Sequence, residues 1–299
     1  MGEGEATMAG TRRLDHLVLP VSSLSIARTR LTTLGFTVAE DASHPFGTEN
    51  ACVFFADQTY LEPLAVGERE TCEAEARRGN VFVARDQAYR FRQGPDGFSA
   101  VVFLTGDAAR DHAGFVDAGL SAGAMLEFGR SMRRADGTMA EARFRLAFAG
   151  DLRSPDFFGF TCQRLQPLPA DRGSLQQHEN GVTGIRGIVL SESNPTDFQY
   201  VLQELVGTRA VEAHSFGMDL QAANARISVL NDDGLAAFFG LARADGERGL
   251  RACAILFTVA DLAATERLLA KRQIAYEIRG GRLLVAPAPG QGALLAFGD

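Results

Sequence analysis

The chain has no tryptophan, one lysine (Lys271) and only four cysteines, and it contains no long apolar run. Without a stretch of roughly 20 apolar residues it has no candidate membrane helix. The opening segment MGEGEATMAGTRR lacks the apolar core of a secretory signal, so a cytoplasmic protein is expected. Cys52, Cys72, Cys162 and Cys253 are too scattered for a CxxC metal pair or a disulfide framework. They read as reduced thiols, with Cys52, Cys162 and Cys253 acting as small hydrophobes in strand-like runs. Nearly all positive charge is arginine, which codon usage explains more simply than selection for anion forks. The balance of 30 basic against 37 acidic residues gives a net charge of −7, and no basic footprint argues for nucleic acid. No GxGxxG opens a βα unit, and GxxxxGK[ST], HExxH and GxSxG are missing, so no nucleotide cofactor is expected.

What the sequence does contain is a repeated unit. With 299 residues and 46% hydrophobic content, the chain can bury two domain-sized cores. The first unit opens with the strand-like DHLVLPV. Leu24, Ile26, Ala27, Leu31 and Leu34 follow at helical spacing, with Gly35 as the stop. FTVAE reads as a strand, DASHPFGTEN as a loop, and ACVFFA and TYLEPLAV as two further strands. A charged helical segment beginning at Glu68 is placed over an edge or rim. FSAVVFLT then begins a second unit, with a helix from Ala108 to Ala118, strands AMLEFGRSMR, EARFRLAFA and FFGFTCQRL, and a turn at Asp136–Gly137. A third unit runs through GIRGIVLS, a helix from Pro195 to Leu205, and strands TRAVEAHS, ARISVLN and GLAAFFGL. The fourth comprises LRACAILFTV, DLAATERLLAKR, IAYEIRG, RLLVAPA and GALLAFG. The expected fold is α+β, four βαβββ modules paired into two cup-shaped mixed sheets. Residues 12–166 form the first domain, 167–181 a Pro-, Gly- and Gln-rich linker, and 182–299 the second domain.

LDHLVLPVSSL, the HPFGTENA loop, TYLEPLAV, FTCQRLQP and HENGV occur in that order over residues 13–181. In this series the chain resembles the vicinal oxygen chelate superfamily (glyoxalases, extradiol dioxygenases, fosfomycin- and bleomycin-resistance proteins), and most closely its glyoxalase-like domain subgroup, a bacterial set. For residues 182–299 the resemblance is architectural only.

In metal-dependent members of that superfamily the first and last strands of each unit carry metal ligands. The resemblance implies that His16 and Glu62 are such ligands, with Gln163 the nearest match to a final carboxylate, and that one divalent ion would be the cofactor. Ala100 stands where a further ligand is expected, and Gly187 and Ala254 occupy the equivalent places in the third and fourth units. Without a metal, His16 and Glu62 would be catalytic as a proton-transfer pair, Glu62 serving as a base whose pKa burial raises.

Around this pair, His44, Phe46, Glu49 and Asn50 of the HPFGTEN loop, Arg145, and His178 are candidate substrate contacts. Each has a plain alternative. His16 could bond a strand carbonyl, Gln163 could satisfy backbone groups, Arg143 and Arg145 could form an exposed strand face, and His178 could be a solvated linker residue. The expectation is an enzyme of lyase, isomerase or dioxygenase type acting on a small oxygenated or carbonyl substrate. Its rival is a metal-free small-molecule binder of the bleomycin-resistance type. The partner in either case is a small molecule, not nucleic acid or membrane, and a homodimer is compatible with a second cup that carries no ligands.

Overall fold

The computed structural model describes residues 10–133, 139–166, 171–243 and 246–298. The expected turn at Asp136–Gly137, part of the 167–181 linker and most of the opening segment lie outside the described residues. The first half runs β1 (Arg13–Pro20), α1 (Leu24–Thr33), β2 (Ala42–Ser43), β3 (Thr48–Asn50), β4 (Val53–Phe54), β5 (Tyr60–Val66), α2 (Arg69–Arg77) and α3 (Val81–Gln93). It continues with β6 (Ala100–Leu104), α4 (Ala108–Asp117), β7 (Leu126–Arg133), β8 (Met139–Ala149) and β9 (Phe158–Arg164). The second half runs β10 (Val182–Ser191), α5 (Gln199–Val206), β11 (Glu212–His214), β12 (Gly217–Gln221), β13 (Arg226–Leu230) and α6 (Asp232–Phe239). It ends with β14 (Arg251–Val259), α7 (Leu262–Lys271), β15 (Glu277–Arg279), β16 (Arg282–Val285) and β17 (Leu294–Phe297).

Each half forms one mixed sheet, ordered β2-β3-β5-β1-β6-β9-β8-β7 and β11-β12-β13-β10-β14-β17-β16-β15. In both, an antiparallel central pair (β1–β6, β10–β14) is flanked by parallel partners. This is the expected α+β pairing of units into two mixed sheets. Strand alternation assigns the faces. Leu17, Leu19, Val101 and Phe103 of the first sheet and Ile188, Ile255 and Phe257 of the second join one core cluster. Leu31 of α1, Phe115 of α4, Leu205 of α5 and Leu269 of α7 belong to the same cluster, so these helices form a shared layer between the sheets. Gly159 of β9 shows the fit, because a Cβ there would meet the Leu205 side chain at 2.5 Å. The opposite face of each sheet carries its own cluster, around Val18, Val102 and Phe160 in the first and Val189, Ala254 and Leu284 in the second.

Local departures from the sequence reading have physical causes. FTVAE is not a strand; the pairing moves into the segment read as a loop, where β2 and β3 form a small hairpin and β3 pairs with β5. ACVFFA contributes only the two-residue β4, which pairs lower on β5. Pro63 lies between these contacts, and with no N–H to donate it interrupts the ladder. In the third unit GLAAFFGL is helical, because the Asn231 side chain caps α6 by accepting from Gly234 N, two aspartates fill the first turn, and Gly240 ends it at φ 64°. The strand it displaces is β12, where Met218 and Leu220 alternate inward. The segment after Glu68 forms two helices, α2 and α3, joined by a turn at 78–80, and α3 lays Phe82 and Val83 onto the open face of the first sheet.

Candidate functional site

A defect in β1 builds the site. β1 pairs with β6 through Leu14↔Phe103 and His16↔Val102, leaving Asp15 as an extra residue in a β-bulge. Such a bulge re-aims side chains. Here Asp15 and His16, which would point to opposite faces of a regular strand, lie together, with Asp15 Oδ2 2.8 Å from His16 Nδ1. The Asp15 carboxylate also pairs with the Arg164 guanidinium on β9. On the far side of the imidazole, His16 Nε2 lies 3.4 Å from Glu62 Oε2. The imidazole is stacked on Tyr60, with centroids 4.4 Å apart at 15°, and its edge meets Phe160 at 6.0 Å.

Glu62 stands where Pro63 breaks the ladder, and the side chain of Asn50 on β3 fills that break. Asn50 Nδ2 donates to Glu62 Oε1 at 2.5 Å. Arg130 of β7 reaches Asn50 Oδ1 at 3.4 Å, and its guanidinium lies 5.9 Å from the Phe144 ring centre. His44 Nε2 is 3.7 Å from Glu62 Oε1, and the Nδ1 side of His44 is bonded to Thr48 Oγ1 at 2.9 Å. Phe46 stacks on His44 at 4.9 Å, and Phe82 and Phe128 close the aromatic wall.

Asp15, His16, His44, Asn50 and Glu62 are all buried, and the charge states of His16, His44 and Glu62 depend on their neighbours. Burial disfavours the His16 imidazolium, but the hydrogen bonds and charges of Asp15 and Glu62 outweigh it and raise the pKa. Burial would also raise Glu62; the His16 contact, with His44 and Arg130, instead brings it down to about 2. The expected rise in the pKa of Glu62 is therefore reversed by its ion pair. His44 goes the other way, pulled by burial to about 4 against the attraction of Glu62, and is a neutral imidazole. The space left among these groups is about 30 Å³. At roughly 10–15 Å³ per water it holds a water or two, or the tip of a ligand.

The sequence candidates divide cleanly. His16, Glu62, His44, Phe46 and Asn50 come together. Gln163 does not: its Oε1 accepts from Ala108 N and its Nε2 donates to Gly106 O, so it secures the start of α4. The strand register explains why no ligand stands there. Ala100 pairs with Phe158 and Val102 with Phe160, as His16 pairs with Tyr60 and Val18 with Glu62. Ala100 and Phe160 are thus the counterparts of His16 and Glu62.

Glu49, next to Asn50 on β3, alternates away from the cup. Arg143 and Arg145 pair with Glu127 on the outer surface. His178 is bonded to the backbone of Phe54 and Thr37 and wedged against Phe36 and Phe55, holding the inter-sheet segment in place. The site residues not anticipated are Asp15, Tyr60, Arg130 and Arg164. The signal available for Asp15 was two consecutive polar residues in an otherwise apolar strand. Among the described residues, no group of three His, Cys, Asp or Glu side chains is arranged to hold a metal ion. Nor is any described helix long and apolar enough to cross a membrane.

A family model described as a glyoxalase-like domain matches residues 14–206. No curated protein matches. Among solved structures, a hypothetical protein from Staphylococcus aureus superposes with TM-score 0.68 at 12% identity, covering 96% of this chain and 99% of that one. A mutant of 4-hydroxymandelate synthase from Streptomyces coelicolor gives 0.60 at 14%, covering 96% and 92%. The Mn(II)-bound glyoxalase from Novosphingobium aromaticivorans gives 0.52 at 10%, covering 96% and 81%. At these identities the structural likeness establishes the fold alone.

Proposed function

Because the chain belongs to the glyoxalase-like domain family of the vicinal oxygen chelate superfamily, we propose that its first cup performs acid–base chemistry on a small carbonyl compound. Glu62 takes a proton from the carbon beside the carbonyl, and His16 gives one to the carbonyl oxygen. The observation that carries this reading is the 3.4 Å contact between His16 and Glu62 inside an aromatic cage. Each partner is held from behind, His16 by Asp15 and Glu62 by Asn50.

The resting pair is a poor base, since its own attraction keeps Glu62 ionised down to about pH 2. A carbonyl group inserted between the two removes that attraction and leaves the burial, which raises the carboxylate pKa. Base strength then appears only with substrate bound. With an α-hydroxy carbonyl compound, Glu62 returns its proton to the former carbonyl carbon while the α-hydroxyl gives its proton back to His16, which completes an isomerisation without any external oxidant. Tyr60 and the phenylalanines favour a flat apolar body. Only the reacting end fits the 30 Å³ space as it stands, so access requires the Phe128–Arg130 stretch or the start of α3 to shift.

Metal-assisted chemistry is the second reading, favoured by the Mn(II)-bound glyoxalase among the structural neighbours. The described side chains do not fit an ion as arranged. His16 and Glu62 already close on each other, Gln163 serves α4, and no third ligand completes a group. Sequestration of a bulky ligand in this cup finds no support in a space of 30 Å³.

The test is hydrogen–deuterium exchange in D₂O, followed by proton NMR with 2-hydroxyacetophenone and dihydroxyacetone as probes. Exchange beside the carbonyl that survives EDTA and disappears in Glu62→Gln is the expected result. Exchange lost with EDTA and regained with Mn²⁺ replaces this reading with the metal one. No exchange above the Glu62→Gln background rejects the acid–base assignment.

A further inference from the structure

The two sheets repeat each other through the site and part at their last hairpin. β10 carries the bulge of β1, with Ile185↔Phe257 and Gly187↔Leu256 leaving Arg186 as the extra residue. Gly187↔Arg226 and Val189↔Ser228 repeat His16↔Tyr60 and Val18↔Glu62, so Ser228, whose Oγ donates to Asp219 Oδ1 at 2.5 Å, stands where Glu62 does. On the other side Val102↔Phe160 corresponds to Leu256↔Ala296, and the register runs from there to the edge strands. β15–β16 ends at Arg279↔Arg282 and turns at Gly280 and Gly281. That last pair falls where Leu126↔Leu146 opens β7–β8, which continues to Arg133↔Met139. The longer hairpin carries Phe128 and Arg130, alternate residues that both line the first cup. Among the described residues, the second sheet has no strand position equivalent to either.

Arg130 is held at the cup by neutral groups. Its Nη1 donates to Asn50 Oδ1 at 3.4 Å, a long bond, and its guanidinium lies over the Phe144 ring. The carboxylates of the cup are engaged elsewhere, Asp15 with His16 and Arg164, and Glu62 with His16. Among the described residues, no carboxylate forms an ion pair with Arg130, and its Nε and Nη2 make no hydrogen bond. The charge of Arg130 still reaches the interior, where it contributes to lowering the pKa of both Glu62 and His44. Asn50 joins the two ends, donating through Nδ2 to Glu62 and accepting through Oδ1 from Arg130. One amide group therefore separates the base from an open guanidinium fork.

We propose that Arg130 selects a carboxylate next to the reacting carbonyl, so that the first cup takes a small α-hydroxycarbonyl compound bearing a carboxylate on its carbonyl carbon. The inference rests on the acid–base reading of His16 and Glu62. Such a compound presents its groups in the order of the site, with the hydroxyl-bearing carbon at Glu62, the carbonyl oxygen at His16 and the carboxylate at Arg130. Glu62 takes the proton of the hydroxyl-bearing carbon as His16 protonates the carbonyl oxygen, which gives an enediol. Glu62 then returns its proton to the former carbonyl carbon and the original hydroxyl gives its proton to His16, leaving an aldehyde with the carboxylate unchanged. A guanidinium fork matches a planar carboxylate through two hydrogen bonds. The same cation offsets the repulsion between that carboxylate and Glu62.

The test is calorimetric titration of Glu62→Gln, in which the chemistry is switched off, with hydroxypyruvate and with dihydroxyacetone. The second compound has the same carbon frame with a hydroxymethyl group in place of the carboxylate. Hydroxypyruvate should bind roughly tenfold tighter or more, and the preference should disappear in Glu62→Gln/Arg130→Gln. In the otherwise native chain, solvent-deuterium exchange supplies a second readout. The hydroxypyruvate-to-dihydroxyacetone ratio of kcat/KM should fall roughly tenfold or more in Arg130→Gln, with the loss in KM. Should that variant not fold, Arg130→Lys keeps the charge without the fork and should weaken hydroxypyruvate binding several-fold; an unchanged affinity overturns the proposal. Equal binding of the two compounds, or a preference that survives Arg130→Gln, also overturns it. Exchange of dihydroxyacetone without a preference for hydroxypyruvate rejects the role of Arg130 and leaves the acid–base reading. An Arg130-dependent preference without exchange of either compound supports carboxylate recognition and rejects the acid–base reading.

Discussion

The two cups have the same strand order and the same bulge, yet one is closed around the His16–Glu62 pair and the other is an open basin. In the first, Phe82 of α3 and Phe46, Phe128 and Phe160 fill the concavity until about 30 Å³ is left. In the second, Gly187 and Ser228 replace the large polar groups and about 480 Å³ stays open. The bulge is the shared device, because it turns an additional side chain into the cup. Which residue occupies it, Asp15 or Arg186, sets the sign of the charge delivered. A fold of this kind supplies positions, and the side chains on them supply chemistry.

The comparison breaks most visibly at Glu62. Glu62→Ala leaves the buried His16 imidazolium with Asp15 alone and Asn50 Nδ2 without its acceptor, and should cost about 3–5 kcal/mol in urea unfolding. Ser228→Ala, the same position in the second cup, loses one hydrogen bond and should cost about 1 kcal/mol. Equal losses would show that the buried pair contributes nothing special.

Acid should distinguish the cups next. His44 has a folded pKa lowered to about 4 from an unfolded value near 6.5, so the unfolded chain binds the proton first. Its contribution is complete above pH 6.5 and is lost as pH falls through about 4, on the order of 3 kcal/mol in total. Glu62 adds a second loss below its unfolded pKa of about 4.3, ending near 2. His16, with a raised folded pKa, contributes fully below about 6.5 and loses that contribution as pH rises through its folded value. Urea midpoints across pH should show the 6.5-to-4 limb in the native chain and not in His44→Gln. Persistence of that limb in the variant would assign it to another group.

Gly187→Ala tests why the second cup has no imidazole. A Cβ at Gly187 would sit 2.8 Å from the carbonyl oxygen of Arg226, so the substitution should cost about 1–3 kcal/mol. An unchanged thermal midpoint would show that the strands yield there. A smaller effect is expected for Asp15→Asn, which weakens the hydrogen bond and charge that hold His16 protonated. The His16 pKa should fall, as followed by its ring-proton NMR titration. An unmoved titration would remove Asp15 from the positioning role. Least of all, Arg145→Ala breaks an exposed contact with Glu127 and should leave both cups and the thermal midpoint unchanged.

Much of this arrangement could be read in advance from particular residues. The alternation in DHLVLPV, the glycine stops after the helices and the fourfold recurrence of the unit determine two mixed sheets, and they place His16 and Glu62 on strands of the same one. The HPFGTEN loop was legible as a supplier of site groups, since His44, Phe46 and Asn50 all arrive there. Gln163 was misplaced because linear spacing cannot show register; the strand pairing makes Phe160 the counterpart of Glu62. GLAAFFGL was misread because its apolar run satisfies a strand pattern, whereas the Asn231 cap and the Gly240 stop favour a helix.

The sequence by itself determined the unit, its repetition and the presence of one imidazole and one carboxylate 46 positions apart on strands of the first unit. Tertiary structure alone decided that Asp15 joins them, that Glu62 is held ionised instead of neutral, and that the second cup stays open. The reason is physical. Periodicity fixes which face a side chain takes in a regular strand, but a bulge is a mismatch between two strands. The charge state of a buried group is likewise fixed by neighbours from distant segments, as Glu62 is by His16, His44 and Arg130, and neither property belongs to any one segment of the chain.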